Sequence, residues 1–308
     1  MRWSVLLPTH DSPQSLGFAI DAVLAQSETD FELIMVGDGV TDETRGIIAD
    51  RADARITFHD LPKADGFGYA HRRAVLERAR GDYIAFASDD DLVAPHHLAV
   101  LGALLDQGNQ LAYSRPIWCV PSGHLVPLSF DLADPWVRDR FGYQNFIPSV
   151  FVAVSRTALV DAGGWPVDVA AAADWTLWRR ILGLPNARVG YDSSATAVHF
   201  RARRRNSDHP AVDAILALPE RESWWPSEAR LSGDPLQGAN LDREWWSALT
   251  HAAQRVEHHV ALVAVLGGIT GELQETAVND ARAEERRTFE SSTSWKVTRP
   301  LRWLGRTR

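Results

Sequence analysis

An uninterrupted apolar run that ends in three carboxylates constrains the fold more than any other stretch of this sequence. Residues 83–87 are apolar without alternation, which is typical of a strand buried on both faces of a parallel sheet. Asp89, Asp90 and Asp91 follow the run, and Pro95 suits the first turn of a helix. Because ligands bind at the carboxyl ends of the strands in open α/β sheets, we expect a ligand site here.

Three adjacent carboxylates repel one another, and two explanations of their presence stay open. A divalent cation together with a phosphorylated ligand would hold them in place, because such cations prefer hard oxygen ligands. Alternatively, the run is a solvated turn in which one Asp caps the following helix.

Strands and helices alternate through the first third of the chain. Apolar segments at 3–7, 31–36 and 55–59 each precede a turn and a helix, and the fourth strand begins at Tyr83. This order predicts right-handed βαβ crossovers and a parallel sheet. The loops after the first, second and fourth strands would then share one edge, where their acids are Asp11, Asp38 and Asp89 to Asp91.

The pattern changes to short strands after a helix near 95–107. A hairpin is expected around residues 121–123, and further strands at 149–154 and 195–200 enclose a helix at 170–181. The fold class predicted is therefore α/β, with a mostly parallel nucleotide-binding sheet flanked by helices and a mixed second half.

Prolines and glycines become frequent after residue 205, which indicates a change of organisation. We expect a main domain over 1–210, a linking region over 211–240 and a helical C-terminal extension over 241–308.

Composition narrows the class of protein. The formal net charge of −8 argues against nucleic acid as the main partner. A single cysteine, Cys119, excludes an intramolecular disulfide, and the first residues do not resemble a signal peptide. The longest apolar run, 260–269, is too short to span a bilayer. We expect a cytoplasmic protein.

An ordered set of short motifs resembles the family 2 glycosyltransferases with the GT-A fold, and the resemblance covers roughly residues 2–205. The motifs are residues 4–10, 36–42, 66–73 and 79–86, the acidic run with Leu92 and Pro95, Gly163-Gly164-Trp165, 174–179 and His199. The resemblance implies transfer of a sugar from a nucleotide diphosphate sugar to an acceptor hydroxyl with inversion. It also implies Mn²⁺ or Mg²⁺ as cofactor and a glycan or lipid-linked acceptor.

The resemblance assigns roles within the acidic run. The family's Asp-x-Asp falls on Ser88-Asp89-Asp90, so Asp90 is the expected metal ligand and Ser88 replaces the first Asp. The ribose contact of that first Asp would pass to Ser88 or Asp89. Asp91 would bind the metal or the donor sugar, or cap the next helix. His199 would complete the metal site, the alternative being a histidine hydrogen-bonded within the fold.

The general base of the family comes from an acidic pair at a helix start, which here reads Ala173-Asp174. Asp174 is therefore the candidate base, and the alternative is an N-terminal helix acid favoured by the helix dipole. Asp38 would accept from a pyrimidine N–H, which favours UDP or dTDP, and Arg72 would lie near the diphosphate. The implied donor-binding positions are Pro8, Thr9, His10, Asp38, Gly66, Arg72, Ser88, Asp89 and Asp91.

The C-terminal end carries a separate signal. Residues 294–308 contain five cations and no acid, and residues 294–302 resemble a C-terminal signature of some cell-surface polysaccharide enzymes. Its tryptophans and arginines suit an anionic membrane surface, whereas Pro300 would interrupt a helix and favours a disordered end. The helices before it could instead form a homo-oligomer interface.

Two other classes of protein stay as alternatives. A nucleotidyltransferase would need a Lys- or Arg-rich loop after the first strand, and residues 8–15 contain neither. A non-catalytic nucleotide-binding or scaffolding module would account for the departures at Ser88 and Ala173.

Overall fold

The computed structural model describes residues 1–128, 130–200, 216, 246–247 and 249–254. The strands are β1 (Trp3–Thr9), β2 (Phe31–Asp38), β3 (Ile56–Leu61), β4 (Tyr83–Phe86), β5 (Leu92–Val93), β6 (Leu111–Ser114), β7 (Ile117–Cys119), β8 (Leu125–Pro127), β9 (Val152–Ser155), β10 (Val189–Asp192) and β11 (Ala197–Phe200). The helices are α1 (Pro13–Leu24), α2 (Asp42–Ala49), α3 (Tyr69–Leu76), α4 (His97–Leu105), α5 (Pro135–Phe141), α6 (Arg156–Asp161) and α7 (Ala173–Leu182).

The larger sheet has the strand order β10-β6-β9-β4-β1-β2-β3. β1 pairs in parallel with both β2 and β4, and β2 pairs in parallel with β3. This confirms the predicted parallel nucleotide-binding half. β9 runs antiparallel between β4 and β6, which confirms the mixed character of the second half.

A cluster of polar contacts around the buried carboxylate of Glu32 lies at the end of the larger sheet opposite the acidic run. Glu32 on β2 accepts hydrogen bonds from the Ser4 hydroxyl (2.6 Å) and from the Arg80 backbone N–H (2.8 Å) and Nε (2.7 Å). Burial by itself would raise the pKa of Glu32, but these contacts hold it below its ordinary value. The Gly81 N–H in turn donates to Ser4 Oγ (2.8 Å), so this cluster ties the start of β4 to β1 and β2.

A smaller sheet has the order β5-β11-β7-β8. The β7–β8 pair is the predicted hairpin. β5 follows the acidic run directly and pairs antiparallel with β11, with Val93 opposite Ala197. The sequence pattern does not predict β5 or β10, which are only two and four residues long. The β5–β11 pairing brings His199 to the acidic run.

Part of the segment after residue 245 completes the core under the smaller sheet. Trp246, Leu249 and Ala252 are buried in one cluster with Ile117 of β7 and Val198 of β11. The Ala195 N–H donates to Thr250 Oγ1 (2.9 Å), which fixes the chain just before β11.

Several expectations lie outside the described residues. They include the linking region 211–240, apart from Leu216, and the basic end 294–308 with its proposed membrane or oligomer contacts. The domain boundaries therefore stay a prediction. No helix in the described segments combines the length and the apolar character needed to cross a membrane.

Candidate active site

The loops after β1 and β4 meet at Asp89. The Ser12 side chain and the backbone N–H of His10 interact with the Asp89 carboxylate and lower its pKa. The Thr9 hydroxyl also lowers this pKa, although it makes no hydrogen bond of ordinary geometry within the described residues. These contacts favour the charged form, but burial and the neighbouring Asp91 raise the pKa of Asp89 above its ordinary value. The expected meeting of the two loop ends is thus seen in the structure.

Asp90 is the most perturbed carboxylate of the acidic run. Burial, followed by the charge of Asp91, raises the pKa of Asp90 to about 6. The Ser88 hydroxyl donates to Asp90 Oδ1 (2.5 Å), and this hydrogen bond together with His199 partly offsets the rise. Ser88, the residue that replaces the first family Asp, therefore contacts Asp90 directly and adds no further negative charge.

Asp91 is held by β11. Its Oδ1 lies 3.0 Å from His199 Nδ1 and accepts from the Phe200 backbone N–H at 3.0 Å. Asp91 therefore does not cap the helix that follows, which begins at His97 without a side-chain cap. The expectation that it caps this helix is wrong, because the β5–β11 pairing directs its carboxylate to β11 instead.

His199 lies between the acidic run and an aromatic ring. Burial would lower the pKa of His199, but Asp91 first, then Asp90 and Asp174, raise it above its ordinary value. The Trp118 ring contacts the imidazole edge-on, with ring centroids 4.6 Å apart. The imidazole is hence both hydrogen-bonded within the fold, the alternative considered above, and adjacent to the expected metal ligand Asp90.

Asp174 lies in the first turn of α7. Ala172 precedes the helix in the left-handed region (φ 53°), an unusual conformation for a residue other than glycine. Asp174 Oδ1 accepts from the Trp175 backbone N–H (2.8 Å). Burial raises the pKa of Asp174, while Arg72 and His199 favour its charged form. The acid accordingly has two cationic neighbours in addition to the helix N-terminus.

Arg72 on α3 connects the acids electrostatically. Burial lowers the pKa of Arg72, while Asp174, Asp89 and Asp38 favour its charged form. These acids come from the start of α7, the loop after β4 and the end of β2. One guanidinium therefore lies within electrostatic range of three predicted site residues from three separate segments.

Asp38 at the end of β2 is bound by the loop before α3. It accepts from Lys63 Nζ (2.6 Å) and the Ala64 N–H (2.7 Å), and His71 Nε2 lies 3.7 Å away. Burial would raise the pKa of Asp38, yet the contacts with Lys63 and Ala64 bring it below its ordinary value. The side chain is thus already engaged by the protein.

The remaining predicted donor residues line the same loops. Pro8 is half-buried and Thr9 buried at the end of β1, while His10 is exposed. Gly66 has a φ of +66° and open space where a side chain would point. The loop at Gly66 is therefore accessible, as a ligand-contacting loop must be.

The donor atoms around Asp90 fit a divalent cation in their chemistry. Within the described residues, no group of three or more His, Cys, Asp or Glu side chains could hold a metal ion by itself. Mg²⁺ at phosphate sites commonly takes only one or two carboxylates and completes its shell with phosphate oxygens and water. Asp90 would supply a hard oxygen ligand within a cluster of carboxylates whose repulsion a cation would relieve.

Sequence reasoning missed four residues around the site. Lys63 and His71 contact Asp38, and the rings of Tyr69 and Trp165 contact Arg72. Trp165 was noted as part of a motif, but nothing in its pattern indicated which side chain it would touch. Apart from the contact of Tyr69 with Arg72 three residues later on α3, these contacts join distant parts of the chain, so only the fold reveals them.

Comparison with known proteins supports the sequence resemblance. The sequence model of glycosyl transferase family 2 matches residues 4–153. The putative teichuronic acid biosynthesis glycosyltransferase TuaG of Bacillus subtilis is 37% identical over 90 residues, which are 29% of this chain and 35% of TuaG. The chain spans about half the length, or less, of the curated relatives it matches.

Solved structures share the fold. Staphylococcus aureus TarS 1-349 in complex with UDP-GlcNAc has a TM-score of 0.54 at 18% identity, covering 85% of this chain and 84% of TarS 1-349. The mannosyltransferase PcManGT of Pyrobaculum calidifontis in complex with GDP-Man and Mn²⁺ has a TM-score of 0.52 at 18% identity, covering 100% of this chain and 88% of its own. The fold is thus the predicted GT-A fold. On these findings, residues 4–153, just under half of the chain, match glycosyl transferase family 2 in sequence.

Proposed function

We propose that the protein is an inverting glycosyltransferase that uses a nucleotide diphosphate sugar, with Asp174 as general base. The observation that carries the proposal is the position of Arg72 among Asp174, Asp89 and Asp38. A cation among acids at the carboxyl edge of a parallel sheet suits a site that receives a diphosphate next to a base.

The donor would lie across the loops after β1, β2 and β4. Thr9, Asp38 and Asp89 line the nucleoside side, and Arg72 faces the diphosphate. A ligand amide would have to compete with Lys63 and Ala64 for Asp38, or share its oxygens. TarS and PcManGT were solved with a uridine and a guanosine nucleotide sugar respectively, which supports the donor class. We favour UDP or dTDP, because the carboxylate of Asp38 can accept a hydrogen bond from the N–H of a pyrimidine base.

Asp174 would remove the proton of the acceptor hydroxyl. The oxygen then forms a bond to the anomeric carbon as the bond from that carbon to the phosphate oxygen breaks, and the nucleoside diphosphate leaves. Arg72 and His199 favour the charged carboxylate against the effect of burial, and it is this charged form that can accept a proton. Because attack comes from the face opposite the leaving group, the configuration inverts.

Asp90, with His199 beside it, is the proposed holder of Mn²⁺ or Mg²⁺. When bound, such an ion supplies positive charge to the departing diphosphate. The protein's own contribution is to keep Asp90 in place through Ser88, and His199 through Asp91.

The acceptor class is a glycan or a lipid-linked carbohydrate of a cell-surface polysaccharide or glycolipid. The name of TuaG supports this class, since that protein is assigned to teichuronic acid biosynthesis. Lipid-linked acceptors would make a peripheral membrane contact through residues 294–308 useful. Flotation with anionic liposomes tests this contact, and equal partitioning of the protein with and without those residues would contradict it.

The stereochemistry of the product tests the proposal. The protein is incubated with α-linked UDP- and dTDP-sugars in the presence of Mn²⁺, and the first-formed sugar is followed by proton NMR. Transfer to an acceptor, or to water, should release nucleoside diphosphate and give the β-anomer first. A first product of α configuration would rule out inversion, and no turnover with any donor would favour a non-catalytic module.

A further inference from the structure

The guanidinium of Arg72 lies within cation–π distance of two aromatic rings. Its carbon is 5.5 Å from the centroid of the Tyr69 ring and 5.7 Å from that of the Trp165 ring. The two ring centroids are 6.5 Å apart. A cation within about 6 Å of an aromatic face is attracted to it, and the attraction is stronger where water is partly excluded.

Trp165 is itself fixed by its surroundings. It is 2% exposed, and its ring packs against Phe86 at the end of β4 with centroids 5.5 Å apart. Phe86 also contacts Trp178 of α7 edge-on at 5.1 Å. Trp165 therefore rests on the strand that leads to the acidic run and, through Phe86, on the helix that begins beside Asp174.

The neighbouring cation does not share this arrangement. Arg73 pairs with Glu77 (3.4 Å), and its Nη1 donates to the Trp165 carbonyl (3.4 Å) instead of contacting the ring. Of these two adjacent arginines, it is therefore Arg72 whose guanidinium lies near both rings. Asp174 and Asp89 both favour the charged form of Arg72, and contacts with the rings restrict a long side chain that either acid would attract.

We propose that Tyr69 and Trp165 are positioning residues that hold the Arg72 guanidinium between the base Asp174 and the diphosphate of the donor. Neither ring needs to touch the reacting atoms. The rings restrict the arginine to one arrangement before the donor arrives, so less freedom is lost on binding. This inference rests on the proposed function.

A double-mutant cycle tests the inference. The affinity for UDP, dTDP, GDP and CDP is measured by calorimetry with Mn²⁺, and the nucleotide that binds wild type most tightly is then used. Tyr69→Leu and Trp165→Leu should each weaken binding about tenfold, while Tyr69→Phe and Trp165→Phe should stay within about threefold of wild type. In an Arg72→Lys background, the same Leu substitutions should change the affinity less than about threefold.

A purely structural role of the rings gives a different result. The Leu substitutions would then weaken binding as much in the Arg72→Lys background as in wild type, which would overturn the inference. Tyr69 is only partly buried, so Tyr69→Leu keeps the test valid should Trp165→Leu fail to fold.

The chain offers a matched control and a way to separate this inference from the proposed function. Trp136 on α5 is 41% exposed and also lies over an arginine, Arg140, at 5.5 Å. Trp136→Leu should leave nucleotide affinity unchanged. If wild type binds none of the four nucleotides, the proposed function fails and this inference with it. If wild type binds and the cycle is additive, this inference alone fails.

Discussion

Burial and neighbouring charges together set the pKa of each acid in the candidate site. Burial and Asp91 bring the pKa of Asp90 to about 6, and burial also raises the pKa of Asp89 and Asp174. Arg72 and His199 act in the opposite direction on Asp174. Arg72 and His199 therefore limit the rise in the pKa of Asp174 that burial causes, and a bound divalent ion would likewise favour the charged form of these acids.

Replacing the base should separate transfer from binding. Asp174→Asn keeps the shape of the side chain but cannot accept the proton, so sugar transfer should fall by a factor on the order of 10² to 10⁴. Nucleotide affinity should change only a few-fold. Release of nucleoside diphosphate and calorimetry measure the two quantities.

Asp168→Asn provides a control for this substitution. Asp168 is an exposed acid that pairs with Arg180 of the same helix as Asp174 at 2.9 Å. Its replacement should leave transfer unchanged. Wild-type turnover in Asp174→Asn would refute the assigned base.

Gly81 should tolerate no side chain. A Cβ at this position would lie 2.3 Å from the backbone N of Ser4 and 2.4 Å from the carbonyl carbon of Trp3, so backbone must move. We expect Gly81→Ala to lower the free energy of unfolding by roughly 3 kcal/mol, measured by urea denaturation.

Gly46 is the matched control, because it lies within α2 and a Cβ there would meet nothing within 4 Å. Gly46→Ala should stabilise the protein by up to about 1 kcal/mol. Equal effects of the two substitutions would contradict this reading of the β1–β4 approach.

Among the secondary-structure elements, the sequence predicts those strands and turns whose formation depends on residues close together in the chain. The continuous apolar runs of β1, β2 and β4 and their turns sufficed to place the acids of three loops at one edge. Element ends were less predictable: α3 ends at Leu76, not near Arg80, and α4 begins at His97. Such ends depend on capping contacts that few residues signal.

Contacts that join distant elements could not be predicted. The pairing of β5 with β11 decides that Asp91 contacts His199 and does not cap α4. The contact of Arg72 with the Trp165 ring likewise depends on how α3 and the loop before α7 pack near Phe86. A sequence pattern indicates which residues lie on the buried face of a helix or strand. The contacts described here depend instead on how whole helices and strands pack against one another.

The described helical residues 246–247 and 249–254 should support the site through β11. Leu249 is 1% exposed in the same core cluster as Val198, the residue before His199. We expect Leu249→Ala to lower the free energy of unfolding by about 2 to 4 kcal/mol and to weaken Mn²⁺-dependent nucleotide binding.

Ser247 on the same segment is exposed, so Ser247→Ala should change neither quantity. Chemical denaturation and calorimetry on the full chain measure both. An unchanged stability of Leu249→Ala would show that this segment does not pack under the smaller sheet.

At the scale of the whole molecule, stability should depend on pH through a buried histidine. His97 is 2% exposed, its Nδ1 lies 2.8 Å from Thr196 Oγ1, and its Nε2 is buried with no hydrogen-bond partner among the described residues. Burial, with a smaller effect of His96, lowers the pKa of His97 to about 3. The unfolded chain, in which the pKa is about 6.5, therefore binds the proton first as the pH falls.

Protonation of His97 should destabilise the fold between about pH 6.5 and 3, by up to about 1.4 kcal/mol per pH unit. Asp90 acts in the opposite direction between about pH 6 and 4, because its pKa is raised in the folded state. Urea unfolding from pH 7.5 to 5 should therefore show a smaller loss of stability on acidification in His97→Gln than in wild type. Equal losses would contradict the assignment to His97.

The central claim is that the acidic run holds a nucleotide diphosphate together with a divalent ion. Thermal denaturation with UDP, dTDP, GDP and CDP, each with and without Mn²⁺, tests it most directly, with Asp90→Ala as the comparison. At about 100 times its dissociation constant, a ligand adds roughly 2.7 kcal/mol, or about 5 to 11 °C for a domain of this size. We predict such a shift with UDP or dTDP only when Mn²⁺ is present, and its loss in Asp90→Ala. Folded wild-type protein that shows no shift with any nucleotide, or the same shift in Asp90→Ala, would contradict the account.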